Sequence, residues 1–214
     1  MEKKTFSVSL AKNPRIAITV LSGHFTGSNH HVNLHFDISA MKANVTMARD
    51  IARELSMPYL SSTHVDAIVC LDKTETIGAF LGNELLSAGV NQGNEIHVVS
   101  PISNVNNNLV FKDSMIEWVA GRNVILLVAM MISGRAVARA MECLDYYKSN
   151  VVGISALFMA QHENQPHKVN ALYTSDDISG YKMFNPSQCE MCKAGQPLDA
   201  IVSTEGYTYI RGNN

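Results

Sequence analysis

The chain has no excess of positive charge, no long apolar run, few cysteines and almost no low-complexity sequence. Each deficit closes off a class of function. Lysine and arginine number 17 against 19 acidic residues, giving a net charge of −2 and an isoelectric point near 6.4. A chain so balanced carries no broad basic field, so sequence-independent binding to nucleic acid is not expected. The longest apolar stretch, Val124 to Ile132, falls well short of the roughly 18 residues of a membrane helix. Ile16 to Leu21 is too short to be the apolar core of a signal peptide. These absences point to the cytosol, with no membrane partner. The 4 cysteines fit a reducing compartment, and only Cys189 and Cys192 form a spaced pair. No internal repeat is visible, and the single biased tract is the asparagine cluster at 104–108.

What is present describes a globular α/β chain. Its 214 residues suit one domain, or one with a small cap, and 46% of them are apolar. A chain of this length buries a core without disulfide or metal staples. His31 to Asp37 alternates, with Val32, Leu34 and Phe36 on one face, and reads as a strand. Arg15 to Leu21 reads as a strand or a helix, and Gly23 to Asn29 as a turn-rich loop. Met41 to Leu55 carries Val45, Ala48, Ile51, Ala52 and Leu55 at helical spacing. Val65 to Leu71, Val124 to Val128 and Val151 to Met159 are near-continuous apolar runs, the mark of strands buried on both faces. Glu95 to Ser100 is a shorter strand. Ile77 to Ala88 and 136–147 read as the intervening helices, the first closed by Gly89. Strand and helix alternate from 65 to 160, which predicts βαβ units and a mainly parallel sheet flanked by helices. From about His162 the chain reads as short elements and loops. The expected layout is a single domain, with its core at about 40–160 and a small cap from 1–39 and 161–214.

In an open parallel sheet, ligands bind beyond the carboxyl ends of the strands. That rule selects three loops: Leu71 to Thr76, Ser100 to Leu109, and Ala129 to Ala136. In the third, a buried strand runs through Ser133, Gly134 and Arg135 into a helix. Backbone amides at that start, with the Ser133 hydroxyl and the Arg135 guanidinium, would make a phosphate cradle. The plainer alternative is an ordinary serine-glycine helix start with a surface arginine.

Val124-Ile-Leu-Leu-Val-Ala-Met-Met-Ile-Ser-Gly-Arg-Ala-Val137 resembles the phosphoribosyl-pyrophosphate motif of type I phosphoribosyltransferases. Ser28-Asn-His-His-Val-Asn-Leu-His-Phe-Asp37, with a helix ending in Ile-Ala-Arg-Glu-Leu55, is similar to that family's N-terminal segment. Val65 to Leu71 and its following loop stand in the place of the pyrophosphate loop. Cys189-Glu-Met-Cys-Lys-Ala-Gly-Gln-Pro-Leu198 resembles the ending of many orotate phosphoribosyltransferases. The resemblance implies transfer of ribose 5-phosphate from phosphoribosyl pyrophosphate to a nitrogen base, with Mg²⁺, in a homodimer. Orotate is the acceptor it implies. Ser133, Gly134, Arg135 and Ala136 would hold the 5-phosphate, and Asp72, Lys73, Thr74 and Glu75 would lie near pyrophosphate or metal.

The chain departs from that pattern in three places. The family's two acids, which hold the ribose hydroxyls and stabilise charge developing on the sugar, fall here on Ala129 and Met130. Neither side chain accepts a hydrogen bond from a hydroxyl in the usual sense. The loop that covers pyrophosphate in the family corresponds to Ser100 to Phe111, which has no lysine or arginine, although Lys112 follows at once. The first glycine-rich loop is replaced by Asp72-Lys-Thr-Glu-Thr76, which could hold Mg²⁺ or a cation, or be a solvated loop with a local ion pair. An impaired relative that senses a nucleotide or phosphorylated sugar, or that serves as a dimeric interaction module, is therefore the rival reading. Outside these loops, His31 and His35 share a strand face with Asn33 and Asp37, read as a polar outer face with a metal or substrate site as the alternative. Cys189 and Cys192 read as two buried thiols of a tight turn, and no metal site is expected. A zinc site would need two more ligands, for which His162 and His167 are the nearest candidates.

Overall fold

A computed structural model describes residues 5–87, 89–105, 108–160, 167–203 and 205–210. In chain order these form β1 (Thr5–Leu10), β2 (Asn13–Thr26), β3 (His31–Asp37), α1 (Ser39–Ala43), α2 (Val45–Ser56), β4 (Ala67–Cys70), α3 (Glu75–Leu86) and β5 (His97–Val99). Next come β6 (Ile102–Ser103), β7 (Leu109–Val110), α4 (Asp113–Ile116), β8 (Asn123–Met131), α5 (Arg135–Tyr146), β9 (Asn150–Met159) and β10 (Val169–Thr174). Last are β11 (Met183–Phe184), α6 (Glu190–Lys193), β12 (Ala200–Ser203) and β13 (Gly206–Tyr209). They fall into two compact units, one from stretches 1–41 and 175–214, the other from 42–174.

The larger unit is built on a parallel sheet of order β10-β9-β8-β4-β5. Its apolar runs are continuous because both faces are covered. On one face, Val124, Leu126 and Val128 of β8 pack with Val137, Ala140 and Leu144 of α5. On the other, α3 comes so close that a Cβ on Gly78 would lie 2.5 Å from the Cys70 sulfur. Helix α2 starts where the Asn44 side chain accepts a hydrogen bond from the Met47 amide, and this cap divides the expected 41–55 helix into α1 and α2. Strand β8 runs through Met131, so Ala129 and Met130 are strand residues. Within the stretch read as loop-rich, β10 adds a fifth parallel strand. Its six residues are too few and too mixed for a clear period, and it is fixed by its ladder to β9.

The smaller unit joins chain-distant segments in one sheet, of order β11-β3-β2-β12-β13, with β1 also on β2. In β2, Ile16, Ile18 and Val20 are fully buried, while Ala17 and Thr19 between them are partly exposed, the alternation of a strand. Contrary to the loop expected from Gly23, β2 continues to Thr26. The cause is a β-bulge. Ser22 pairs with Leu34 but Phe25 pairs with Val32, so β2 spends one extra residue there. The turn itself is confined to 27–30, closed by Gly27 N–H donating to the His30 carbonyl at 2.8 Å.

Candidate functional site

The carboxyl end of β4 leads into a tightly held loop. Asp72 and Lys73 both have left-handed backbone, with φ of 56° and 61°. Such residues cost roughly 1–3 kcal/mol each unless their surroundings impose the conformation. Here the surroundings do. The buried Thr74 hydroxyl donates to the Leu71 carbonyl at 2.8 Å and lies 3.3 Å from the Leu127 carbonyl of β8. The Ala129 amide donates to the Asp72 carboxylate at 3.3 Å, and the Lys42 ammonium donates to the Asp72 carbonyl at 2.9 Å. Glu75 opens α3 and accepts a 2.6 Å hydrogen bond from the Ser100 hydroxyl. Lys73 and Glu75 are exposed.

The carboxyl end of β8 is the second part. Ala129 is fully buried and Met130 partly so. Ser133 and Arg135 are exposed, and the Arg135 Nε lies 3.4 Å from the Ser133 hydroxyl oxygen. Gly134 is the N-cap of α5 with φ of 72°, and its carbonyl accepts the first helical bond, from Ala138 at 2.9 Å. A glycine cap brings no side-chain oxygen to the first-turn amides, so that end of a 12-residue helix presents donors and a positive dipole end to an anion. The Asp72 bond to Ala129 ties this strand end to the β4 loop. In the third loop, β6 and β7 pair as a small hairpin, closed by Asn104 N–H donating to the Asn108 carbonyl at 2.9 Å. A half-open cavity of about 430 Å³ lies on the flank of α5, among Asn108, Val110, Arg139, Cys143 and Tyr147; of the three selected loops only Ser100 to Leu109 contributes to it, through Asn104, Asn108 and Leu109.

The smaller unit holds a group absent from the sequence-based expectations. His24, His31, Cys189 and Cys192 bring one ligand atom each to within 4.8 Å of one another. His24 Nε2 lies 3.2 Å from His31 Nδ1, 3.4 Å from Cys189 Sγ and 3.6 Å from Cys192 Sγ, and Cys192 Sγ lies 3.3 Å from His31 Nδ1. Cys189 is buried and Cys192 exposed, so the turn does not hold two buried thiols. Nor do His31 and His35 lie on a polar outer face, since both are buried. The imidazole partners are His24 and His31. Of the candidates first named, His167 is exposed and outside the group, and His162 lies outside the described residues. Burial, then the nearby His24, holds the His31 pKa below its ordinary value in the metal-free chain. The signal missed was the bulge. A one-residue shift exchanges strand faces, and the extra residue at Gly23 sets His24 on the His31 side. A Cβ on Gly23 would lie 2.8 Å from both the Asp199 carboxylate and the Phe25 ring, so this position is reserved for glycine.

No family model and no curated protein matches the chain. Solved structures do. The chain is similar to Leishmania donovani UMP synthase, with a TM-score of 0.55 and 16% identity, covering 75% of this chain and 37% of that longer one. It is also similar to Mycobacterium tuberculosis orotate phosphoribosyltransferase, with a TM-score of 0.53 and 12% identity over 76% of this chain and 93% of that one. Adenine phosphoribosyltransferase of Leishmania donovani gives a TM-score of 0.51 and 13% identity over 74% and 78%. The chain therefore has a type I phosphoribosyltransferase-like fold, an α/β architecture with a mainly parallel sheet flanked by helices.

Proposed function

We propose that the chain binds a 5-phosphorylated ribose compound at the carboxyl ends of β4 and β8, and that it transfers the ribosyl phosphate slowly. The observation that carries this reading is a contrast along one short stretch. Ala129 is buried and apolar, whereas Gly134, five residues on, opens α5 in left-handed backbone. The first feature removes carboxylates that would stabilise developing charge, a loss that typically costs several kcal/mol of barrier. The second keeps the means of gripping a phosphate, because it rests on backbone rather than on the side chains at 129 and 130.

In this reading the amides from Ser133 to Ala136 hold the 5-phosphate, with the Arg135 guanidinium adding a charge-assisted bond. Lys73 serves the pyrophosphate, and Thr74, whose hydroxyl already donates to a carbonyl, keeps the loop in shape. Mg²⁺ keeps several waters and usually binds through one or two carboxylates plus phosphates. Asp72 and Glu75 are donors of that kind, and among the described residues no group of three acids joins them. They fit an ion that arrives with pyrophosphate rather than a resident one. The same reading takes the protein to be a cytosolic homodimer, with a pyrimidine base as acceptor where transfer occurs. A second reading, efficient transfer, is favoured by one contact, the Asp72 carboxylate on the Ala129 amide, which brings an acid to the strand position that has lost its own.

Two measurements on one preparation decide between these readings. Calorimetry should show phosphoribosyl pyrophosphate binding in the presence of Mg²⁺. Pyrophosphate release with a panel of bases should stay at least a hundredfold below the typical enzymatic turnover of about 10 per second. Rapid nucleotide formation that Asp72→Asn abolishes would establish the second reading. Absence of binding by any phosphorylated ribose would remove both.

A further inference from the structure

We propose that His24 Nε2, His31 Nδ1, Cys189 Sγ and Cys192 Sγ form a structural zinc site that locks the smaller unit. The inference does not depend on what the larger unit binds. The distances carry it. Four-coordinate zinc holds nitrogen at about 2.0–2.1 Å and sulfur at about 2.3 Å. A tetrahedron of those lengths has edges of roughly 3.3 Å between nitrogens and roughly 3.5 Å between nitrogen and sulfur. The nitrogen pair here is 3.2 Å apart, three of the four nitrogen–sulfur pairs are 3.3, 3.4 and 3.6 Å apart, and all four ligand atoms lie within 4.8 Å of one another. Such edges leave a centre of the right size for zinc. Both thiols are free rather than joined as a disulfide.

The surroundings orient the ligands as zinc sites require. His24 Nδ1 lies 2.9 Å from the Gln196 carbonyl. A carbonyl only accepts, so Nδ1 carries the proton and Nε2 turns a lone pair toward the centre. The His24 backbone is clamped in turn, its amide donating to the Asp199 carboxylate at 2.8 Å and its carbonyl accepting from the Asp199 amide at 2.7 Å. The Cys189 carbonyl accepts from the Lys193 amide at 3.1 Å, closing the Cys-x-x-Cys turn. Four protein ligands complete the coordination sphere, so the chemistry is structural and no position remains for substrate. Zinc binding displaces two thiol protons and ties the β2–β3 hairpin to a segment 165 residues on in sequence. The same unit holds a buried cluster of Leu21, Phe25, Val32 and Ala200.

The test uses the full chain, purified without chelators or a metal-affinity tag. Elemental analysis should give about one zinc per chain. Replacement by Co²⁺ should give the intense visible bands of a tetrahedral ion together with thiolate charge transfer. Cys189→Ser with Cys192→Ser should lose the metal, whereas Cys143→Ser should keep it. If the double variant does not fold, the cobalt spectrum of the unaltered chain still decides. The proposal is overturned by metal-free protein that binds added zinc no more tightly than micromolar. A six-coordinate cobalt spectrum, or a mass showing a Cys189–Cys192 disulfide in freshly purified protein, overturns it equally.

Discussion

Asp72, Thr74 and His35 show how single residues set the character of this molecule. The left-handed pair at Asp72 and Lys73 persists because Thr74 anchors the loop from inside. Thr74→Val keeps the shape but leaves the Leu71 carbonyl without this donor, so it should cost about 1–2 kcal/mol in urea unfolding, with Thr74→Ser close to neutral. His35 is a buried imidazole whose Nε2 has no hydrogen-bond partner among the described residues. Burial, opposed weakly by Asp37, lowers its pKa from 6.5 to about 4. The unfolded chain therefore binds a proton between about pH 6.5 and 4 that the folded chain refuses. The contribution of neutral His35 is fully present above pH 6.5 and is lost as the pH falls toward 4, by about 3 kcal/mol in all. Unfolding free energies of the native chain and His35→Phe across this range should diverge by that amount, the variant losing less on acidification. Parallel curves would show that His35 is already solvated in the fold.

At the scale of elements, legibility followed how local the determining forces are. β8, β9 and the strand after Val65 were readable because burial on both faces leaves an unbroken apolar run. The Asn44 cap is equally local, and Asn44→Ala should cost about 1 kcal/mol of stability in denaturant unfolding. The start of α5 depends on backbone hand. At a φ of 72°, Gly134→Ala should cost about 1–2 kcal/mol and disturb the turn that presents the first amides. β2 beyond Gly23 was not readable, because glycine and polar residues mark a turn unless a partner strand absorbs a bulge, and that partner is a tertiary matter. β10 failed for the same reason, since its ladder to β9 and not its composition makes it a strand.

For the whole molecule, the parallel sheet and the positions of the loops at its strands' carboxyl ends were legible, because both follow from element order. The histidine–cysteine group was not, because it depends on contacts 165 and 161 residues apart in sequence and on one bulge. The substitutions at Ala129 and Met130 were visible from the start, yet their meaning turns on the phosphate grip proposed beside them. The most direct test of that grip is the melting temperature of the full chain against rising phosphoribosyl pyrophosphate with Mg²⁺. At a hundredfold excess over the dissociation constant, a ligand that binds only the folded state adds about 2.7 kcal/mol. A saturating rise is expected for the native chain, and a rise at most half as large at the same concentrations for Ser133→Ala with Arg135→Ala. A flat response of the native chain, or an identical rise in the double variant, would show that no phosphate is held at this loop.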